Sequence, residues 1–114
     1  MVILYGIKNC DTVKKARNWL TDHGINYHFH DYRVDGLSIE QLTGFEAQLG
    51  WFVLLNRTST SWRQLADAQK TNITKESAMQ LMLATPTLIK RPILKTPHNL
   101  LIGFNADTYR NELL

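Results

Sequence analysis

The stretch from Val2 to Tyr32 reads as strand, helix, strand, and that order constrains the fold more than any other feature of the chain. Val2-Ile3-Leu4-Tyr5 is a short apolar run suited to a buried strand, and Gly6 opens the loop that leaves it. Val13, Ala16, Trp19 and Leu20 then recur at helical spacing, and His23-Gly24 supplies a helix end. Ile25 to Tyr32 alternates, with Tyr27, Phe29 and Asp31 on one side and His28, His30 and Tyr32 on the other, which predicts a second strand. Two strands joined through a helix favour a parallel, right-handed crossover.

The middle of the chain is helical in pattern. Ser38-Ile39-Glu40-Gln41 has the form of a capping box, followed by Ile39, Leu42, Phe45 and Leu49 in a stripe broken at Glu46, with Gly50 as its cap. Trp51 to Leu55 fits a further turn or a buried connection, and Ser61 to Gln69 predicts one short helix. Thr74 is an N-cap for a helix over Lys75 to Ala84. Pro86 and Pro92 rule out one long helix or central strand between them. Ile93 to Lys95 and Leu100 to Ile102 then read as a hairpin turned by Thr96-Pro97-His98-Asn99, and Asn105 caps a last helix.

At 114 residues, with 44% hydrophobic content, the chain fits a single globular domain. No apolar run reaches the roughly 20 residues of a membrane span, and a signal peptide is not expected where the chain enters Val2 to Tyr5 directly. A net charge of +3, with acidic and basic residues interleaved, gives no indication of nucleic-acid binding. One cysteine cannot form an internal disulfide, so a reducing, cytoplasmic setting is expected.

That residue, Cys10, stands between Asn9 and Asp11 at the entrance of the first helix, among polar neighbours. A helix N-terminus favours negative charge and is one of the places where a thiolate is stabilised. Lys8, Lys14 and Lys15 act in the same direction and Asp11 opposes them. The thiolate is the nucleophile, so the placement has a chemical use; the competing reading is a small buried hydrophobe. A phosphatase loop needs its arginine one residue earlier than Arg17, no histidine is placed by the sequence beside Cys10, and His28 with His30 supply at best two metal ligands. No metal site is expected.

Three segments together carry a resemblance: Tyr5 to Arg17, Asn56-Arg57 followed by Trp62-Arg63, and Leu88 to Leu94. In that order they resemble the ArsC/Spx/YffB family of arsenate-reductase-like proteins, with the YffB subgroup, proposed to contain glutathione-dependent thiol reductases, as the nearest match. The resemblance implies an α/β thioredoxin-like fold with a helical insertion, about Ser38 to Ala84, between a βαβ half and a ββα half. It implies that Cys10 is the nucleophile, that Arg57 and Arg91 bind an anion, and that Pro92 is cis and faces Cys10. Lys8 assists electrostatically. A third arginine of the arsenate reductases falls on Gly103, which puts arsenate chemistry in doubt.

The implied activity is a monothiol reductase with no bound cofactor. Glutathione or a glutaredoxin serves as reductant, and the substrate is an oxidised small molecule or protein thiol. The Spx branch implies a different class, a regulator that binds RNA polymerase without turnover. Its usual second cysteine, separated from the first by two intervening residues, is replaced by Val13.

Overall fold

The computed structural model describes residues 1–114. In chain order the elements are β1 (Ile3–Gly6), α1 (Asp11–Asp22), β2 (His28–Asp31), α2 (Tyr32–Asp35), α3 (Ile39–Leu49), α4 (Trp51–Leu54), α5 (Thr60–Arg63), α6 (Asp67–Lys70), α7 (Lys75–Ala84), a 3₁₀ turn (Pro86–Leu88), β3 (Ile93–Lys95), β4 (Leu100–Ile102) and α8 (Ala106–Leu113). They group into two compact units, Met1–Asp35 with Arg91–Leu114, and Gly36–Lys90.

The first unit holds one sheet in the order β2-β1-β3-β4. β1 and β2 are parallel, as the strand–helix–strand pattern predicts, while β1–β3 and β3–β4 are antiparallel. This is the thioredoxin-like arrangement of a βαβ half and a ββα half. The register places Leu4 opposite Phe29 on one side and Leu94 on the other, with Leu101 beyond Leu94. Because side chains alternate along a strand, these four share one sheet face. Val13, Ala16, Trp19 and Leu20 of α1 and Tyr109 of α8 pack with Leu4 and Leu94 in the core of this unit. Fully burying a leucine such as Leu20 contributes about 1.5–3 kcal/mol, which is why the stripe of α1 selects this face.

The second strand is shorter than its alternation predicts, at both ends. Gly24 adopts φ +68°, and the Ile25 N–H donates to the Leu20 carbonyl at 2.9 Å, so Ile25 still closes α1. At the other end the Asp31 carboxylate accepts from the Arg33 N–H at 2.9 Å, and Asp35 accepts from the Asp31 N–H at 3.0 Å. Those bonds turn the chain into α2, and Tyr32 therefore belongs to a helical turn instead of the strand. The hairpin turn forms as predicted and gains a clamp: Glu112 of α8 accepts from Thr96 Oγ1 at 2.9 Å and from Asn99 Nδ2 at 2.7 Å.

The second unit is helical. Ser38 and Gln41 form the capping box at the start of α3. Glu46, the break in the apolar stripe of α3, accepts from the Trp51 N–H at 3.0 Å and pairs with Lys75 of α7 at 3.3 Å. The single helix predicted over Ser61 to Gln69 is instead two turns, α5 and α6. Ser59 caps the first through the Trp62 N–H, and Gln69 folds back onto the Ala66 N–H, so the chain is recaptured between them. This unit runs to Lys90 because residues beyond α7 pair with its own backbone: Asn56 N–H donates to Leu88 and Lys90 N–H to Leu54. No helix of the chain is long and apolar enough to cross a membrane.

Candidate functional site around Cys10

The sheet register decides what meets at its working edge. Gly6 lies opposite Asp31 at the C-terminal ends of β1 and β2, and Tyr5 lies opposite Ile93, the first residue of β3. Arg91 and Pro92 therefore enter the sheet at the same edge from which the Gly6 to Asn9 loop leaves toward α1. Ile102, opposite Ile93, ends β4 at this edge too, and the Gly103 N–H donates to the Pro92 carbonyl at 2.8 Å. The Arg91–Pro92 peptide bond is cis.

Cys10 is the N-cap residue of α1, in an extended backbone conformation, and its carbonyl accepts the first helical bond from Lys14 at 2.9 Å. Most N-caps are Ser, Thr, Asp or Asn, whose oxygen accepts from an N–H in the first turn. The Cys10 side chain makes no such bond. The first-turn N–H groups, which have no partner inside the helix, therefore receive no cap from this side chain at the helix end that favours negative charge. The thiol is half-buried: its side chain packs against the edge of the Leu4–Val13 core yet keeps contact with solvent. Lys8 is exposed on the preceding loop.

Arg91 is half-buried beside an aromatic group that sequence reading did not assemble. Tyr5 stacks on Tyr32 with ring centroids 6.4 Å apart, and His30 lies 4.9 Å from Tyr5 and 6.0 Å from Tyr32. Burial pushes the Tyr32 phenol well above the usual tyrosine range; Tyr5 adds to the rise and the Arg91 guanidinium opposes it. Burial alone raises Tyr5. The alternation of His30 and Tyr32 was the available signal, but the turn at Asp31 determines where Tyr32 points.

Arg57 belongs to the second unit. Its guanidinium carbon sits 4.2 Å from the Phe52 ring centroid and 5.8 Å from that of Trp62, and Nη1 donates to the Phe52 carbonyl at 3.3 Å. These contacts hold the side chain against the two aromatic rings. No group of three or more His, Cys, Asp or Glu side chains gathers to hold a metal ion.

Comparison with known proteins bears on these residues. A family model described as the ArsC family matches residues 5–111. An uncharacterised protein of Haemophilus influenzae is 52% identical over 110 residues, 96% of each chain. The solved structure of a protein named YffB superimposes with a TM-score of 0.96 at 46% identity, covering all of both chains. The global transcriptional regulator Spx of Lactiplantibacillus plantarum is 28% identical over 99% of this chain and 86% of its own.

Proposed function

Because the chain belongs to the ArsC family, we propose that it is a thiol reductase with Cys10 as nucleophile and glutathione as reductant. The observation that carries this reading is Cys10 at the N-cap of α1, on the sheet edge where Arg91 and cis Pro92 also lie. The Cys10 thiolate attacks one sulfur of an oxidised disulfide substrate. The substrate S–S bond breaks, its other sulfur leaves as a thiolate that takes up a proton, and a mixed disulfide with Cys10 forms. The chain has no second cysteine, so the thiolate of glutathione, or of a glutaredoxin, attacks the partner's sulfur and releases Cys10.

Arg91 and Arg57 are the proposed anion-binding residues, since guanidinium forks match carboxylates and oxyanions. Lys8 adds positive charge near the thiol, and Pro92 shapes the site beside it. Arsenate is a poor substrate in this reading. Gly103 stands where the family's third arginine is expected, and its φ of +76° is a backbone conformation that side-chain-bearing residues rarely adopt. The Spx relative favours a second reading, a partner-binding regulator without turnover. Against a cysteine-pair switch, Val13 is fully buried in the core.

Mass spectrometry after incubation with oxidised glutathione, followed by turnover assays, tests the proposal. The expected result is a glutathione adduct on Cys10 that is absent in Cys10→Ser. Turnover of a mixed disulfide with glutathione should follow, with arsenate turnover weak or nil. An adduct without turnover on any disulfide would overturn the enzyme and leave the regulator.

A further inference from the structure

One polar cleft on the first unit lies along α1, away from the sheet edge that carries Arg91 and Pro92. It measures about 180 Å³ and is lined by Lys14, Arg17, Asn18, Thr21 and Tyr27. Every lining side chain carries a hydrogen-bonding group, two are cationic, and none is acidic. Arg17 is fixed there: its Nε donates to Tyr27 Oη at 3.2 Å, and its guanidinium carbon lies 4.2 Å from the Phe29 ring centroid. Held on one edge and one face, the guanidinium has both Nη groups left for a ligand, and a fixed fork loses less freedom on binding than a loose one.

The cleft lies in line with Cys10. Positions 10, 14, 17, 18 and 21 follow the three- and four-residue spacing of one helix face, whereas Val13, Ala16, Trp19 and Leu20 occupy the buried face. At about 1.5 Å rise per residue, Lys14 lies about 6 Å and Arg17 about 10 Å along the axis from Cys10. An extended chain of two or three residues, at about 3.5 Å each, bridges that interval. We propose that this cleft receives a carboxylate of the acidic thiol compound joined to Cys10 in the mixed disulfide, and so selects glutathione-sized anionic partners over neutral ones. The inference rests on the thiol-reductase reading above and adds to it a specificity site on α1.

The test compares the rate at which Cys10 forms a mixed disulfide with oxidised glutathione and with its fully esterified analogue, which keeps the disulfide but lacks the carboxylate charges. Lys14→Gln, Arg17→Gln and the double variant are measured beside Lys95→Gln, an exposed strand lysine that keeps the same net charge change. The expected result is a fall of about threefold to tenfold in the acidic-over-esterified rate ratio for the cleft variants; a change that Lys14→Gln makes in the thiolate itself acts on both probes alike and cancels in that ratio. Lys95→Gln should leave the ratio alone, and added salt should slow only the acidic probe. Lys14 is exposed, so Lys14→Gln remains informative if Arg17→Gln disturbs the packing on Phe29. An unchanged ratio in the double variant, with Cys10 still reacting with both probes, overturns the cleft assignment alone. Failure of both probes to modify Cys10 overturns the thiol-reductase reading, and this inference with it.

Discussion

At the scale of single residues, Arg91 sets the strongest expectation. The phenol it faces, Tyr32, is buried, its hydroxyl has no hydrogen-bond partner, and burial keeps it protonated far into alkali. A neutral phenol sets no negative charge against the Arg91 guanidinium, and Arg91 enters the sheet at the edge where Cys10 lies. Arg91→Ala should therefore weaken glutathione-linked turnover by about tenfold or more, the size of a lost charge-assisted contact of about 1.5–3 kcal/mol. Arg110→Ala, an exposed arginine on α8, serves as the reference and should change it little. Steady-state kinetics on both variants, with circular dichroism as a check on folding, measures the difference; equal effects would return Arg91 to a surface charge. Lys70 is a worse reference than its polar surroundings, Gln69 to Asn72, imply, because Nζ lies 5.7 Å from the Trp62 ring that also faces Arg57. Cys10 and Arg91 stand out in the sequence because each sits in a long motif. Tyr5, His30 and Tyr32 do not, since their grouping depends on strand register and on one turn.

At the scale of elements, the junction of β1 with α1 is the tightest constraint on the thiol. A Cβ on Gly6 would come within 2.8 Å of Val13 Cγ2, and Val13 is buried and branched, with little room to yield. Gly6→Ala should cost about 1–3 kcal/mol, as overpacking does, and displace the loop that carries Cys10. Urea unfolding would show a lower midpoint, and the rate of Cys10 alkylation in the folded protein should change as well; an unaltered midpoint would mean that Val13 moves freely. Elements defined by local chemistry were readable: the caps at Ser38, Thr74 and Asn105 all accept the bonds their sequences predict. The shortening of β2 and the split into α5 and α6 were not. Each depends on a side chain or backbone group folding back to end an element that periodicity alone would continue. Glu46 shows the reverse, a polar break in an apolar stripe whose use is a bond to α4 and an ion pair with α7.

At the scale of the whole molecule, the parallel β1–β2 pair and the β3–β4 hairpin were readable from the crossover rule and the turn, whereas the antiparallel β1–β3 pairing that joins them into one sheet had no local signal. The core of the first unit follows from that sheet, and two buried tyrosines there give the fold an alkaline limit. Tyr32 and Tyr109 are both shielded from water, and burial raises both phenols above the ordinary value near 10. In the unfolded chain each would lose its proton near pH 10, while in the folded state each keeps it. Above about pH 10 the native state therefore binds more protons than the unfolded one, and stability falls with rising pH by up to about 1.4 kcal/mol per pH unit for each group. The stabilising difference is whole below the unfolded value and is lost as pH climbs toward the raised folded one. Tyr109 tests this cleanly, because its hydroxyl makes only a long 3.5 Å bond to the Gly103 carbonyl while its ring packs edge-on against Trp19 and Phe104. Tyr109→Phe keeps those ring contacts and removes the titrating group. Urea midpoints at about pH 8 and about pH 11 should then fall less in Tyr109→Phe than in the parent, with nearly equal midpoints for the two at about pH 8. Parallel losses in both proteins would show that the Tyr109 phenol ionises in the folded state as it does in the unfolded chain.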